Sequence, residues 1–212
     1  MRNPIVNHIA LSLAALLIST TTQGNDAVNP NFVYMYKGEV TGYRNITLGD
    51  PKNWSVSVTN RTGQSASEAI SVAPIDFKGT GDAIQLTWNK KSVQGNFAIY
   101  GNPIDLSAYK DKVSLTIDMR IDEKPTGDVN IGLDCGYPCR ADLNIKKMIR
   151  GMKKGEWFSL PLPLNCFKSD NFDLSKINGP FTISTSQKFK MSITNIRLEK
   201  MPAGETGCAK PQ

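Results

Sequence analysis

The sequence predicts an all-β sandwich or barrel carrying one short helix. Two observations lead there. From Phe32 onward the chain is a succession of short runs in which apolar and polar residues alternate, broken by Gly, Pro, Asn and Asp. This is the pattern of strands that bury one face. A single segment spaces its apolar residues differently: Ile145, Met148, Ile149 and Met152 recur at the interval of a helix face.

Strands are expected over residues 69–77, 83–88 and 97–100. The clearest one covers 113–121, where Val113, Leu115, Ile117, Met119 and Ile121 point to the core and Ser114, Thr116, Asp118 and Arg120 point out. The run 129–133 alternates in the same way, and the intervening "DEKPTGD" reads as a hairpin loop. Further strands are expected over 158–164, 181–185 and 189–198. In the last, the apolar phase shifts from Phe189, Met191 and Ile193 to Ile196 and Leu198, which places a bulge or bend near Asn195. In the helix, Asn144 can cap the start and Gly155 can end it. Lys146, Lys147, Arg150, Lys153 and Lys154 then cover a solvated outer face. Asp-Leu-Ser occurs twice, at 105–107 and 173–175. It reads as reused turn chemistry, with the side chains bonding local backbone.

The N-terminus sets the compartment. Arg2 precedes an apolar run from Ile9 to Ile18, followed by small and polar residues to Gly24. The run is about half the roughly twenty residues that span a bilayer. It reads as a secretory signal peptide over residues 1–24, rather than a retained anchor. A polar lead-in follows at 25–31, then one domain over 32–200 and a tail over 201–212. No second apolar segment of membrane length occurs, so the mature chain is expected to be exported and soluble, in the periplasm or the medium.

Export decides how the four cysteines are read. Cys135, Cys139, Cys166 and Cys208 in an oxidising compartment point to two disulfides, with three connectivities open. Cys135–Cys139 is the natural first bridge, because Gly136 and Pro138 suit a tight loop. Cys166–Cys208 would then tie the tail to the body. A zinc or redox centre is disfavoured: no CxxC is present, and the single histidine, His8, lies in the leader. With no histidine in the mature chain, Ser-His-Asp and Cys-His chemistry are excluded. No cofactor is called for; a structural calcium, which jelly rolls often hold, has no signature in the sequence. The net charge of +6 falls to +5 without the leader, since 25 basic residues become 24 against 19 acidic ones. That balance, with no concentrated basic stretch beyond 146–154, argues against a nucleic-acid partner and leaves an anionic surface or polysaccharide open.

No catalytic motif occurs. Asp118, Asp134 and Glu156 cannot be paired as glycosidase carboxyls from sequence, and a surface or turn role is the simpler reading. The aromatics carry more information, because sugar rings present C–H faces that stack on Trp and Tyr. Tyr100 alternates opposite to Phe97 and Ile99, which places it on the polar face. Tyr137 sits inside the stapled loop, held at low entropic cost, with Asp134 and Arg140 flanking. Trp54 follows the turn-like "GDPKN". Trp88 shares a face with Ile84 and Leu86 and reads first as core, but becomes a ligand contact if the strand ends there. Trp157 reads as structural. The candidate contacts are Tyr137, Asp134, Arg140, Tyr100, Trp54 and Trp88. Three sequons, at Asn45, Asn53 and Asn60, matter only in a glycosylating host.

The stretch "GLDCGYPCRADLNIKKMIRGMKKGEWFSLPLPLNCF", followed by "FDLSKINGPFTISTSQKFKMSITNIRLE", resembles the C-terminal non-catalytic domain of bacterial family 3 glycoside hydrolases. This is the ExoP galactose-binding-like domain. The resemblance runs over residues 33–200 and rests on the CGYPC loop, "GEW" at a strand start and the "PLNCF" turn. It implies a jelly-roll β-sandwich like those of carbohydrate-binding modules, the second cysteine pair, and an association with β-glucans. The family's nucleophile and acid/base lie in catalytic domains that this sequence lacks, so none transfers. The expected protein is a free-standing exported module that binds a poly- or oligosaccharide without catalysis. The rivals are a partner module docking onto a separate glycoside hydrolase and, last, a small carboxylate-dependent glycosidase.

Overall fold

The computed structural model describes residues 32–208. The expected leader, the lead-in and the last four residues of the tail lie outside the described residues. In chain order the strands are β1 (Val33–Tyr36), β2 (Glu39–Val40), β3 (Asn45–Asp50), β4 (Asn53–Ser57), β5 (Gly63–Gln64), β6 (Ile70–Ile75), β7 (Ala83–Trp88), β8 (Gly95–Tyr100) and β9 (Val113–Glu123). They continue with β10 (Asn130–Asp134), β11 (Arg140–Asn144), the helix α1 (Lys146–Arg150), β12 (Trp157–Pro163), β13 (Gly179–Thr185) and β14 (Phe189–Lys200). All strand pairings are antiparallel.

Two sheets form a sandwich. An eight-stranded sheet runs β12-β9-β14-β7-β6-β5, with β1 pairing to β14 and β2 to β1. A six-stranded sheet runs β11-β10-β13-β8-β3-β4. Alternation drives both: Ile131 and Leu133, Phe97 and Ile99, Phe181 and Ile183 enter from one side, and Leu115, Ile117, Met119, Leu86 and Met191 from the other. The rings of Phe97 and Phe181 meet at 6.1 Å between centroids, and those of Trp88 and Phe189 at 5.4 Å.

The phase shift in β14 has its expected cause. A register irregularity between Ile193 and Asn195 splits the strand. Its first half pairs with β7 and its second with β1, while β9 runs along the other side throughout. The two Asp-Leu-Ser motifs build matching turns. Asp105 Oδ1 accepts from Ser107 N at 2.9 Å, and Asp173 Oδ1 from Ser175 N at 2.9 Å. The motifs also pair with each other, since Ile104 and Ile177 exchange backbone bonds of 2.9 and 3.0 Å.

Three expectations are corrected. "DEKPTGD" is not a hairpin loop: β9 lies in one sheet and β10 in the other, so the segment crosses the sandwich. Alternation reports which face is buried, not which strand is the neighbour. Ser114 and Thr116 do face away from the core, but they are buried. Thr116 lies in register between Pro161 and Arg197, and Ser114 between Pro163 and Glu199; these larger neighbours shadow the small side chains. The helix is shorter than its apolar spacing. Asn144 Oδ1 accepts from Lys146 N at 3.0 Å, but the helix ends at Arg150. Ile145 and Ile149 are buried while Met148 is 43% exposed, because so short a helix presents only one turn to the core.

Candidate functional site

The outer face of the six-stranded sheet is built from the residues that alternate with its core set. Gly132 and Asp134 of β10, Arg140 and Asp142 of β11, Thr182 of β13, Tyr100 of β8 and Asn45 of β3 share it. Register brings them together: Asp134 pairs with Arg140 on one side and Gly179 on the other, and Asn45 pairs with Tyr100. Asn45, Tyr100, Asp134 and Arg140 lie at one end of the sheet, and Gly132, Asp142 and Thr182 lie further along the same face.

Two glycines let long side chains lie against this face. A Cβ on Gly179 would sit 2.7 Å from Tyr100 Cε1 and 2.8 Å from Asp134 Cβ. The tyrosine ring therefore rests on bare backbone, and its hydroxyl donates to Asp134 Oδ2 at 2.9 Å. The other carboxylate oxygen, Oδ1, accepts from Gly136 N at 2.7 Å. Burial, reinforced by the adjoining Asp134 carboxylate, holds the Tyr100 hydroxyl protonated well above its ordinary range. A Cβ on Gly132 would lie 2.3 Å from Asp142 Oδ1 and 2.7 Å from Thr182 Oγ1. Arg140 bridges above it, donating to both oxygens of Asp142 at 2.7–2.9 Å and to Thr182 Oγ1 at 3.2 Å.

The Cys135–Cys139 disulfide closes the loop that leaves β10. Within it Cys135 N donates to Cys139 O at 2.8 Å and Cys139 N to Gly136 O at 2.7 Å. Gly136 has φ +94°, which a side chain would strain. Tyr137, at the tip, is 98% exposed. The loop joins its neighbours through Asn178, whose N–H donates to Asp134 O at 3.0 Å and whose carbonyl accepts from Gly101 N at 2.9 Å. Gly101 in turn packs beside the carbonyl of Tyr43, which is 92% exposed. Tyr43, Tyr100 and Tyr137 thus belong to one end of the sandwich.

Tyr137, Asp134, Arg140 and Tyr100 are brought together. Trp54, 52% exposed, lies on β4 at the opposite edge of the same sheet, where β4 carries an irregularity opposite Gly49. Trp88 is corrected: it is 2% exposed in the core, with Nε1 donating to Gly95 O at 2.9 Å, so it offers no stacking surface. Its strand ends there, yet Phe189 and Ile70 pair across it on both sides. Asp134 spends both oxygens on internal donors, so it positions Tyr100 and the loop. The sequence reading missed Asp142, Asn178 and Tyr43. Asp142 had a signal, lying two residues beyond Arg140 on one strand face; Tyr43 and Asn178 sit in loops with no period to reveal them. Trp157 is structural in its packing, its ring 4.3 Å from that of Phe77 and beneath the Arg120 guanidinium.

Among the described residues no group of three or more His, Cys, Asp or Glu side chains is placed to hold a metal ion, and no helix is long and apolar enough to cross a membrane. The second disulfide joins Cys166 to Cys208.

Fold and site define a galactose-binding-like β-sandwich with a polar, tyrosine-bearing face. The chain belongs to the Exop_C family, described as galactose-binding domain-like, whose family model matches residues 45–198. Its fold matches the extra C-terminal domain of the exo-1,3/1,4-β-glucanase ExoP from a Pseudoalteromonas species, at a TM-score of 0.67 and 18% identity, over 84% of this chain and 99% of that domain. Against the structure of that exo-β-glucanase itself the TM-score is again 0.67, but this chain spans only 21% of its length. The family 30 carbohydrate-binding module of cellulosomal cellulase Cel9D-Cel44B from Clostridium thermocellum matches at 0.57 and 14% identity, over 79% and 96% of the two chains. No curated protein matches the chain by sequence.

Proposed function

We propose that this protein is an exported, non-enzymatic module that binds a β-glucan or a related oligosaccharide at the loop end of its six-stranded sheet. The observation that carries the reading is the Tyr100 ring, seated on Gly179 and pinned to Asp134, beside the fully exposed Tyr137 of the stapled loop. A fixed aromatic next to a rigid loop aromatic gives a sugar ring its stacking surface at little entropic cost. The Arg140–Asp142–Thr182 cluster supplies hydroxyl-binding groups. The likeness to family 30 carbohydrate-binding modules, and to an extra domain of an exo-1,3/1,4-β-glucanase, supports a carbohydrate ligand, and two disulfides suit an oxidising compartment.

The test is titration calorimetry of the secreted protein against laminarin and mixed-linkage glucan, with reducing-sugar release followed in the same samples. Saturable heat with a dissociation constant of about 10⁻⁶ to 10⁻³ M, weakened about tenfold or more in Tyr100→Ala and Tyr137→Ala, is the expected result. Heat unchanged in both variants removes the site; product release removes the non-enzymatic reading.

A further inference from the structure

Beside Tyr100 lies a buried cation that no carboxylate among the described residues neutralises. Arg44 is 8% exposed. Its guanidinium donates from Nη1 to the carbonyl of Thr41 at 3.4 Å and lies over the Tyr34 ring, with Cζ 5.1 Å from the ring centroid. Among the described residues its Nε has no acceptor, and neither has the buried Tyr34 hydroxyl. The other arginines that are at least half-buried each hold a carboxylate: Arg61 with Glu39 at 2.9 Å, Arg120 with Asp122 at 2.5 Å, Arg140 with Asp142 at 2.7 Å and Arg197 with Asp118 at 2.7 Å. Arg44 is the most buried of them and has no carboxylate among the described residues. A guanidinium stays charged even where burial lowers its pKa, as it does here. An uncompensated buried charge is costly, and an entering anion relieves it.

An anion has room to enter. Arg44 lines a cleft of about 430 Å³ together with Glu39, Asn45, Val58, Asn60 and Arg61, a size typical of small-ligand sites. The ionised side chains in this lining are Arg44, Arg61 and Glu39, which sum to +1 and therefore suit a monoanion better than a phosphate dianion. Asn45 and Asn60 offer amides for hydroxyls, and Val58 offers an apolar wall. The cleft adjoins the tyrosine face: Asn45 is the register partner of Tyr100, and the Arg44 stem packs against Gly101, the next residue in the chain, where an added Cβ would come within 2.6 Å of Arg44 Cγ.

We propose that this cleft is a subsite for the carboxylate of an acidic sugar, so that the preferred ligand is an oligosaccharide carrying a uronate unit, with Arg44 as the residue that takes the carboxylate. The inference rests on the carbohydrate-binding reading and narrows its ligand. Planar guanidinium and carboxylate groups match in a two-bond fork, and the neighbouring sugar unit would extend over Asn45 toward Tyr100.

The test compares glucuronate with glucose, and cellobiouronic acid with cellobiose, by calorimetry at low chloride, with acetate as a control. In the native protein each acidic sugar is expected to bind at least about tenfold tighter than its neutral twin, roughly 1.4 kcal/mol. That advantage should disappear in Arg44→Gln. Because Arg44→Gln alters a buried side chain, the ¹⁵N resonance of Arg44 Nε in the native protein gives an independent reading; it should move with glucuronate and stay still with glucose. Equal affinity for the acidic and neutral twins, an unmoved Nε resonance, or acetate binding as tightly as glucuronate each overturns the proposal. Neutral glucan binding without an acidic advantage removes this inference and leaves the broader reading standing. Acidic binding at Arg44 without any neutral binding upholds this inference and the carbohydrate-binding reading under it, and removes only the neutral β-glucan as ligand; no binding of either kind removes both.

Discussion

Gly179→Ala puts a single methyl group between the two parts that hold the candidate site in shape. The new Cβ would lie 2.7 Å from Tyr100 Cε1 and 2.8 Å from Asp134 Cβ, whereas carbon atoms rest at about 3.5–4.0 Å. The ring must retreat by about 1 Å, because the second contact prevents the methyl from moving the other way. A retreat of that size stretches the 2.9 Å bond from the Tyr100 hydroxyl to Asp134 beyond hydrogen-bond range. Overpacking of this kind costs about 1–3 kcal/mol, offset by roughly 0.5–1 kcal/mol from replacing glycine within a strand. Losing a hydrogen bond to a charged acceptor adds about 1.5–3 kcal/mol. The net expectation is about 2–5 kcal/mol, read as a fall in the urea midpoint at unchanged m-value, with laminarin binding weakened about tenfold or more. Tyr100→Phe removes the hydroxyl but not the clash. In the double variant the two losses should overlap and sum to less than the separate effects, because both break the same bond. A Gly179→Ala protein with native midpoint and native affinity, or strictly additive losses, would refute the account of how Tyr100 is seated.

Acid should destabilise the fold through two half-buried or buried carboxylates. Burial alone would raise the Asp50 pKa, but bonds from Ser65, Ser67 and Lys52 outweigh it and hold the group below its ordinary range; at Asp118, Ser159, Asn195 and Arg197 do the same. With folded pKa values depressed, these contributions are complete above the unfolded value near 4 and are lost as pH falls through the folded values. Urea midpoints should hold from about pH 8 to 5 and drop below about pH 4, with a smaller drop in Asp50→Asn; a midpoint that rises on acidification contradicts this. The disulfides should differ in weight. The chain-entropy relation gives about 4 kcal/mol for Cys166–Cys208, 42 residues apart, and about 2 kcal/mol for Cys135–Cys139, four apart. Paired serine variants followed by denaturation check the order, and a larger loss from the short loop would overturn it. Removing the short bridge should nonetheless weaken sugar binding more, because it frees Tyr137.

Much of the sandwich is legible in the chain because alternation is a local signal. Residues 83–88 read as a strand and form one with those bounds, as β7. The phase change near Asn195 announces a bulge, and the bulge lies there. The fate of Trp88 follows from its sharing a face with Ile84 and Leu86, a pattern that pointed to the core before it pointed to a ligand. The helix misleads because four apolar residues at helical spacing fix a face, not a length; Met148 satisfies the spacing and still faces solvent.

What the sequence determined by itself is what rests on neighbours along the chain: the strands, the turn chemistry of the two Asp-Leu-Ser motifs and the short stapled loop. What the tertiary structure alone decided is which strands lie side by side. The 122–128 segment looks like a hairpin until the two sheets are seen to take one strand each. Gly179 and Tyr100 are far apart in sequence, yet the glycine is the floor on which the ring rests. Arg44 appears as an ordinary basic residue until packing buries it without a carboxylate partner among the described residues. Contacts of this sort come from register between distant strands, and register is fixed by the packing of the whole core rather than by any local run of residues.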